Sequence, residues 1–152
     1  MIKKIFLFSV IATSLIVAGN IEVKDAYVRA VPPSLPNSAS FMKLINHSSD
    51  IIYLKRADST LAKRLELHEH TMENGMMVMR KVPSIKIPAK SMVMLKPGGY
   101  HIMLIGLKKH LKNHDTVKKI DLYFSNGEKV ILRNVPVKSV MGGMNMSKMK
   151  KN

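Results

Sequence analysis

Two histidines and two methionines in this sequence have the types and spacing to bind a soft metal ion. His101 and Met103 are separated by one residue, and on a β-strand this spacing sends both side chains to the same face. His68 ends another short strand-like segment, and Met79 follows a turn signal at Asn74-Gly75. A hairpin that lies beside the His101 strand would gather two imidazoles and two thioethers at one edge of a sheet.

This donor set has a chemical preference. Neutral imidazole and uncharged thioether sulfur suit Cu(I), whereas zinc sites use Cys, His and carboxylate, and calcium and magnesium bind oxygen. A blue-copper electron carrier needs a Cys thiolate, and the sequence contains no cysteine. The residues therefore favour copper carriage over electron transfer. An alternative stays open at this point, because a His-x-Met pair also occurs where a hydrogen-bonded histidine lies beside a core methionine.

Composition limits the other functions. The 152 residues suit one domain, and 46% hydrophobic content is enough for one packed core. Without cysteine there is no disulfide scaffold, thiolate zinc finger, iron–sulfur cluster, thiol nucleophile or lipid-modified cysteine. Methionine is abundant at 13 residues while Trp is absent, so methionine serves either as core filler or as a source of thioether sulfur.

Residues 1–19 predict a secretory signal peptide. Lys3 and Lys4 precede an apolar run from Ile5 to Ala18, and this run is shorter than the roughly 20 apolar residues that span a bilayer. We expect cleavage near Ala18 or Gly19, with an uncleaved anchor as the alternative. The mature protein is then expected to act outside the cytoplasm.

Residues 20–137 predict one all-β domain, because their apolar residues alternate or form short runs. The predicted strands, separated mostly by turn signals, are Ile21 to Arg29, Ala39 to Asn46, Ile51 to Ala57, Leu65 to His68, Met76 to Lys81, Met92 to Leu95, Tyr100 to Ile105, Val117 to Phe124 and Lys129 to Pro136. Short strands at about 8–12-residue spacing predict an antiparallel Greek-key β-sandwich or barrel. Residues 138–152 lack this alternation and predict a flexible tail rich in Met and Lys.

The segment from Leu65 to Leu111 resembles the periplasmic copper chaperone PCu(A)C family. The ligand pattern of that family, H-x(10)-M-x(21)-H-x-M, is matched by His68, Met79, His101 and Met103. The resemblance implies a cupredoxin-like, Ig-like β-sandwich that binds Cu(I) in the periplasm. It also implies delivery of copper towards cytochrome c oxidase assembly, to the copper-site subunit of the oxidase or to a Sco-type partner. Tyr27 departs from the family pattern, since many relatives have Trp there.

Further soft donors flank the four matched residues. His70 follows His68 by two residues and is either an additional ligand or a solvent-exposed histidine. Met72, Met76 and Met77 either rim the site or fill the core. The tail methionines Met141, Met144, Met146 and Met149 either capture a second copper or belong to a solvated tail.

The net charge of +15 raises other classes of function. Lys108-Lys109 and Lys118-Lys119 supply positive patches, but nucleic-acid motifs are missing, so weak association with a membrane surface or an acidic partner is the better expectation. No catalytic motif is recognisable, and we expect a monomer without enzymatic activity. Two alternatives to a chaperone remain: a copper-sequestering resistance protein with the same site, and a basic surface-binding module whose His and Met are structural.

Overall fold

The computed structural model describes residues 19–139, and these residues form ten β-strands. The strands are β1 Ile21–Arg29, β2 Asn37–Asn46, β3 Ile52–Asp58, β4 Ala62–Glu73, β5 Met76–Lys81, β6 Ile85–Ile87, β7 Ser91–Leu95, β8 His101–Leu107, β9 Thr116–Phe124 and β10 Lys129–Lys138. Most of the predicted signal peptide and residues 140–152 of the predicted tail lie outside the described residues. Within residues 19–139, no helix is long and apolar enough to cross a membrane.

The strands follow the order β5-β4-β8-β2-β1-β10-β9-β3-β6, and β7 pairs with the far end of β2. One layer contains β5, β4, β8, β2 and β1, together with β7. The other layer contains β10, β9, β3 and β6. Strands within each layer pair antiparallel, while β1 and β10 join the layers through a short parallel contact at Val28↔Val137 and Arg29↔Lys138. The all-β antiparallel sandwich predicted from the sequence is therefore confirmed, with this parallel contact as an addition.

The core lies between the layers, and strands such as β3 and β6 contribute alternate residues to it. Ile102 and Leu104 of β8 and Ile120 and Leu122 of β9 are fully buried, and burying one such side chain contributes about 1.5–3 kcal/mol. Because side chains alternate along a strand, the inward Ile102 and Leu104 direct His101 and Met103 to the outer face of their layer. Hydrophobic burial thus sets the orientation of the predicted ligands.

Two elements differ most from the predicted strands, and the ends of the others agree within two residues. β4 is much longer than Leu65 to His68, since most of its residues are polar and only Ala62 and Leu67 are buried, which conceals the apolar period in the sequence. β6 was not predicted, because it is only three residues long and Pro83 and Pro88 lie close on either side. By contrast, β1 and β5 begin and end at the predicted residues.

The hairpin between β4 and β5 turns at the predicted Asn74-Gly75. Both residues have positive φ angles, 49° and 78°, as a type I′ two-residue turn requires. This turn fixes the register of the hairpin, so that Met72 pairs with Met77 and His70 pairs with Met79.

Candidate metal centre

The four predicted ligands project from one face of three neighbouring strands, β5, β4 and β8. His68 pairs with His101 across β4 and β8, and Met79 pairs with His70 across β5 and β4. Directly paired residues, and residues two apart on one strand, share a face of the sheet. Met103, two residues after His101, therefore lies on this same face. The topology brings together side chains that are far apart in the sequence.

His101 and Met79 are in direct contact. The Nε2 atom of His101 lies 3.1 Å from the Sδ atom of Met79, and its Nδ1 atom lies 3.1 Å from the Gly99 carbonyl oxygen. Since a carbonyl only accepts, Nδ1 carries the proton of the neutral ring and Nε2 carries a lone pair. Two lone-pair donors thus face each other, an arrangement that a cation bound by both would stabilise.

His68 has one free nitrogen next to this pair. Its ring centroid lies 5.7 Å from that of His101, and its Nε2 atom lies 2.9 Å from Oε2 of Glu66. An ionised carboxylate only accepts, so Nε2 carries the proton and Nδ1 carries the lone pair. Nδ1 is buried and has no hydrogen-bond partner among the described residues. It is therefore the His68 atom that is available to a metal.

Glu66 fixes the orientation of His68 through a hydrogen bond. Hydrogen bonds from His68, from Arg64 at 3.0 Å and from Lys81 at 3.3 Å reach its carboxylate. The His68 hydrogen bond is the largest of the effects that lower the pKa of Glu66 to about 2. Because Glu66 stays ionised, it keeps the proton of His68 on Nε2, the kind of outer support that metal-binding histidines use.

His70 lies against the site and is half-buried, not solvent-exposed. Its ring stacks on His101 with centroids 5.0 Å apart and an interplanar angle of 30°. Its Nδ1 atom is buried and, within the described part of the chain, has no hydrogen-bond partner. The two-residue spacing predicts that His70 lies on the same face of β4 as His68. The burial of His70 depends on β8 and could not be predicted from that spacing.

A cleft of about 470 Å³ opens at these side chains. His70, Met79, His101 and Met103 line it together with Phe41, whereas His68 lies outside the lining. The Phe41 ring centroid is 6.3 Å from that of His101. No group of three or more His, Cys, Asp or Glu residues in the range 19–139 is placed to hold a metal. Mixed nitrogen and thioether donors in an aromatic-walled cleft fit a soft monovalent ion better than a hard divalent one.

The lysines singled out in the sequence gather elsewhere. Lys108, Lys109, Lys118 and Lys119 line a separate cleft of about 350 Å³ with Thr60. None of these residues lines the cleft that contains His101. These four lysines and the soft donors therefore occupy different parts of the surface.

The buried His101 predicts a pH-dependent stability for the metal-free protein. Burial lowers the pKa of His101 below its ordinary value of 6.5, and the nearby His70 and His68 lower it further, while the Gly99 hydrogen bond opposes them. Around and below pH 6.5 the unfolded chain therefore binds more proton at this position than the folded chain does. We expect the free energy of unfolding to fall as the pH drops through 6.5, by at most about 1.4 kcal/mol per pH unit for one proton.

Urea unfolding at several pH values measures this slope. His101→Gln should flatten it, because glutamine does not titrate. An identical slope in the variant would assign the pH dependence to other groups.

Comparison with known proteins identifies the fold and the family. The copper-bound PCuAC domain of PmoF2 superposes with a TM-score of 0.67 over 80% of this chain and 94% of that domain, at 19% identity. This likeness confirms the cupredoxin-like sandwich expected from the resemblance. The Cu(I)-bound solution structure of DR1885 from Deinococcus radiodurans is 38% identical, covers 78% of each chain and gives a TM-score of 0.63.

Sequence comparisons identify the family of this chain. The "Putative lipoprotein Lxx21020" of Leifsonia xyli subsp. xyli is 36% identical over 126 residues, which are 82% of this chain and 74% of that protein. Residues 21–137 match the family described as "Putative lipoprotein LpqE-like". This match spans all but the last residue of the β-sandwich, including every residue of the candidate centre, and the chain therefore belongs to the LpqE-like family.

Proposed function

We propose that this protein is an exported copper carrier that binds one Cu(I) and hands it to an acceptor protein. The observation that carries the proposal is the contact of His101 Nε2 with Met79 Sδ at 3.1 Å, in which two uncharged lone-pair donors face each other. The likeness to copper-bound structures, one of them at 38% identity, supports the same conclusion.

Each proposed ligand has a defined donor atom. His68 would bind through Nδ1 and His101 through Nε2, because their other nitrogens face Glu66 and Gly99. Met79 and Met103 would each supply a thioether sulfur. All four donors are neutral when the histidines are unprotonated, so the bound ion keeps its single positive charge, which favours Cu(I) over Cu(II).

The two sides of the centre differ in exposure, and this difference suits transfer. His101 is only 3% exposed and is held by Gly99. Met79 is 45% exposed and lies on β5, at the edge of its layer, and its side chain has three rotatable bonds. We therefore expect an acceptor ligand to replace Met79 first, while His101 holds the ion until the exchange is complete.

The acceptor and the compartment follow from the resemblance of residues 65–111 and from the N-terminal sequence. The proposal places the protein in the periplasm, without enzymatic activity of its own. It also directs the copper towards cytochrome c oxidase assembly, either to the copper-site subunit or to a Sco-type partner. Relatives named as lipoproteins support export.

Anaerobic copper transfer tests the proposal. The mature protein is loaded with one equivalent of Cu(I), mixed with an apo Sco-type domain or the soluble copper domain of an oxidase subunit, and separated for copper analysis of each protein. We expect copper to move to the acceptor. Retention by the donor would favour the sequestering function, and failure to load at all would favour the basic surface module.

A further inference from the structure

Soft donors continue beyond the proposed centre to the tip of the β4–β5 hairpin. Met72 pairs directly with Met77, and the next pair on the same face is His70 with Met79. With a rise of about 3.4 Å per residue, the methionine pair lies roughly 7 Å further along the hairpin. The side chains of a directly opposed pair have Cβ atoms about 5 Å apart, a gap that two thioether arms can bridge around one ion.

Exposure decreases steadily from the tip to the centre. Met72 and Met77 are 65% and 62% exposed, Met79 is 45% exposed and His101 is 3% exposed. Met72 and Met77 are therefore not core filler. The opposite face of the same hairpin carries the ion pair of Glu73 with Arg80 and a single exposed methionine, Met76, so the directly opposed pair of thioethers lies on the face that bears the centre.

His70 connects the outer pair to the centre. It lies opposite Met79, two residues from Met72, and its ring stacks on His101. Its Nδ1 atom is buried without a hydrogen-bond partner in residues 19–139, which leaves an imidazole nitrogen free for a metal. The Asn74-Gly75 turn, with both φ angles positive, holds the tip in this register.

We propose that Met72 and Met77, with His70, form an outer Cu(I) site through which copper enters and leaves the inner centre. Two thioethers and one imidazole are neutral soft donors suited to Cu(I). Copper moves by ligand exchange and stays Cu(I), so no electron or proton acceptor is needed. This inference rests on the proposed function, because an outer site serves the inner one.

A double substitution at the tip tests the outer site. Met72→Leu/Met77→Leu removes both sulfurs with side chains of similar volume and leaves the four inner ligands in place. Met92→Leu/Met94→Leu is the matched control, because these methionines are 49% and 40% exposed on β7, where they pair with Ile45 and Lys43 and not with a ligand residue.

Two measurements on the full mature chain separate the outer site from the inner one. The affinity for the first Cu(I) equivalent is measured anaerobically by competition with bicinchoninate, and the rate of copper removal by excess chelator is measured by stopped flow. We expect the tip variant to keep its affinity for the first equivalent of Cu(I). We expect it to lose copper about tenfold more slowly, because the barrier to copper release becomes modestly higher. The control variant should match the unmodified protein in both.

An unchanged removal rate in the tip variant would overturn the outer site and leave the proposed function intact. The same slowing in the control variant would also overturn it, because any exposed methionine would then suffice. If the unmodified protein binds no Cu(I), the proposed function fails, and the outer site fails with it.

Discussion

Replacing His101 with alanine is expected to abolish tight Cu(I) binding. His101 is the most buried of the proposed ligands and contacts Met79 directly, so its loss removes both a donor and the anchor of the centre. Changing an outer partner of a metal ligand already costs about 10–100-fold in affinity, and losing the ligand itself should cost at least about 100-fold. Anaerobic competition of the protein with bicinchoninate for Cu(I) measures the loss.

His47→Ala is the control for this substitution. His47 is an exposed histidine whose Nε2 atom lies 2.8 Å from Glu22, away from the candidate cleft, so its removal should leave Cu(I) affinity unchanged. Thermal unfolding of both apo variants checks that they fold. A folded His101→Ala protein that retains the original affinity would contradict the assignment of His101 as a ligand.

Met79→Leu is expected to produce the second largest loss, about 100-fold in Cu(I) affinity, because it also removes a ligand. Leucine has a similar volume but no sulfur, and the position is 45% exposed, so the stability of the fold should change by less than about 1.5 kcal/mol. The loss should therefore appear in copper binding and not in folding. The same chelator competition and a urea unfolding curve measure the two quantities.

Met76→Leu provides a matched control on the same strand. Met76 is 68% exposed and pairs with Glu73, and it lies three residues before Met79, on the opposite face of the hairpin. Its substitution should leave the affinity for copper unchanged. Equal losses from Met76→Leu and Met79→Leu would mean that sulfur anywhere on the hairpin contributes, which would exclude a specific role for Met79.

Much of the fold could be predicted from local patterns. The alternation in β8 placed Ile102 and Leu104 on one face and His101 and Met103 on the other, and Ile102 and Leu104 are buried in the core. The Asn74-Gly75 signal fixed the hairpin that carries Met79. Both predictions depend on the two-residue period of a strand and on turn chemistry, which act over a few neighbouring residues.

Features that depend on pairing between distant strands could not be predicted. The stacking of His70 on His101 requires β4 and β8 to be neighbours, and the spacing of His70 from His68 gives only its face. The parallel contact of β1 with β10 likewise joins residues from opposite ends of the domain. Such contacts are set by how the two layers close over the core, which no short segment encodes.

Some hydrogen bonds of the candidate centre also depend on pairing between strands and could not be predicted from the sequence. Glu66 meets His68 on its own strand, a contact that two-residue spacing permits, but Lys81 reaches Glu66 only because β5 folds back beside β4. The consequence for chemistry is specific, since this carboxylate determines which nitrogen of His68 is free. The residue types in the sequence predicted a soft-metal site, while the donor atom of each histidine required the fold.

Copper-edge X-ray absorption on the protein loaded with one equivalent of Cu(I) tests the central claim most directly. We predict a first shell of both nitrogen and sulfur, which loses nitrogen in His101→Ala and sulfur in Met79→Leu. A shell of sulfur alone, or a mixed shell that neither substitution changes, would place the copper elsewhere in the protein and contradict the proposed centre.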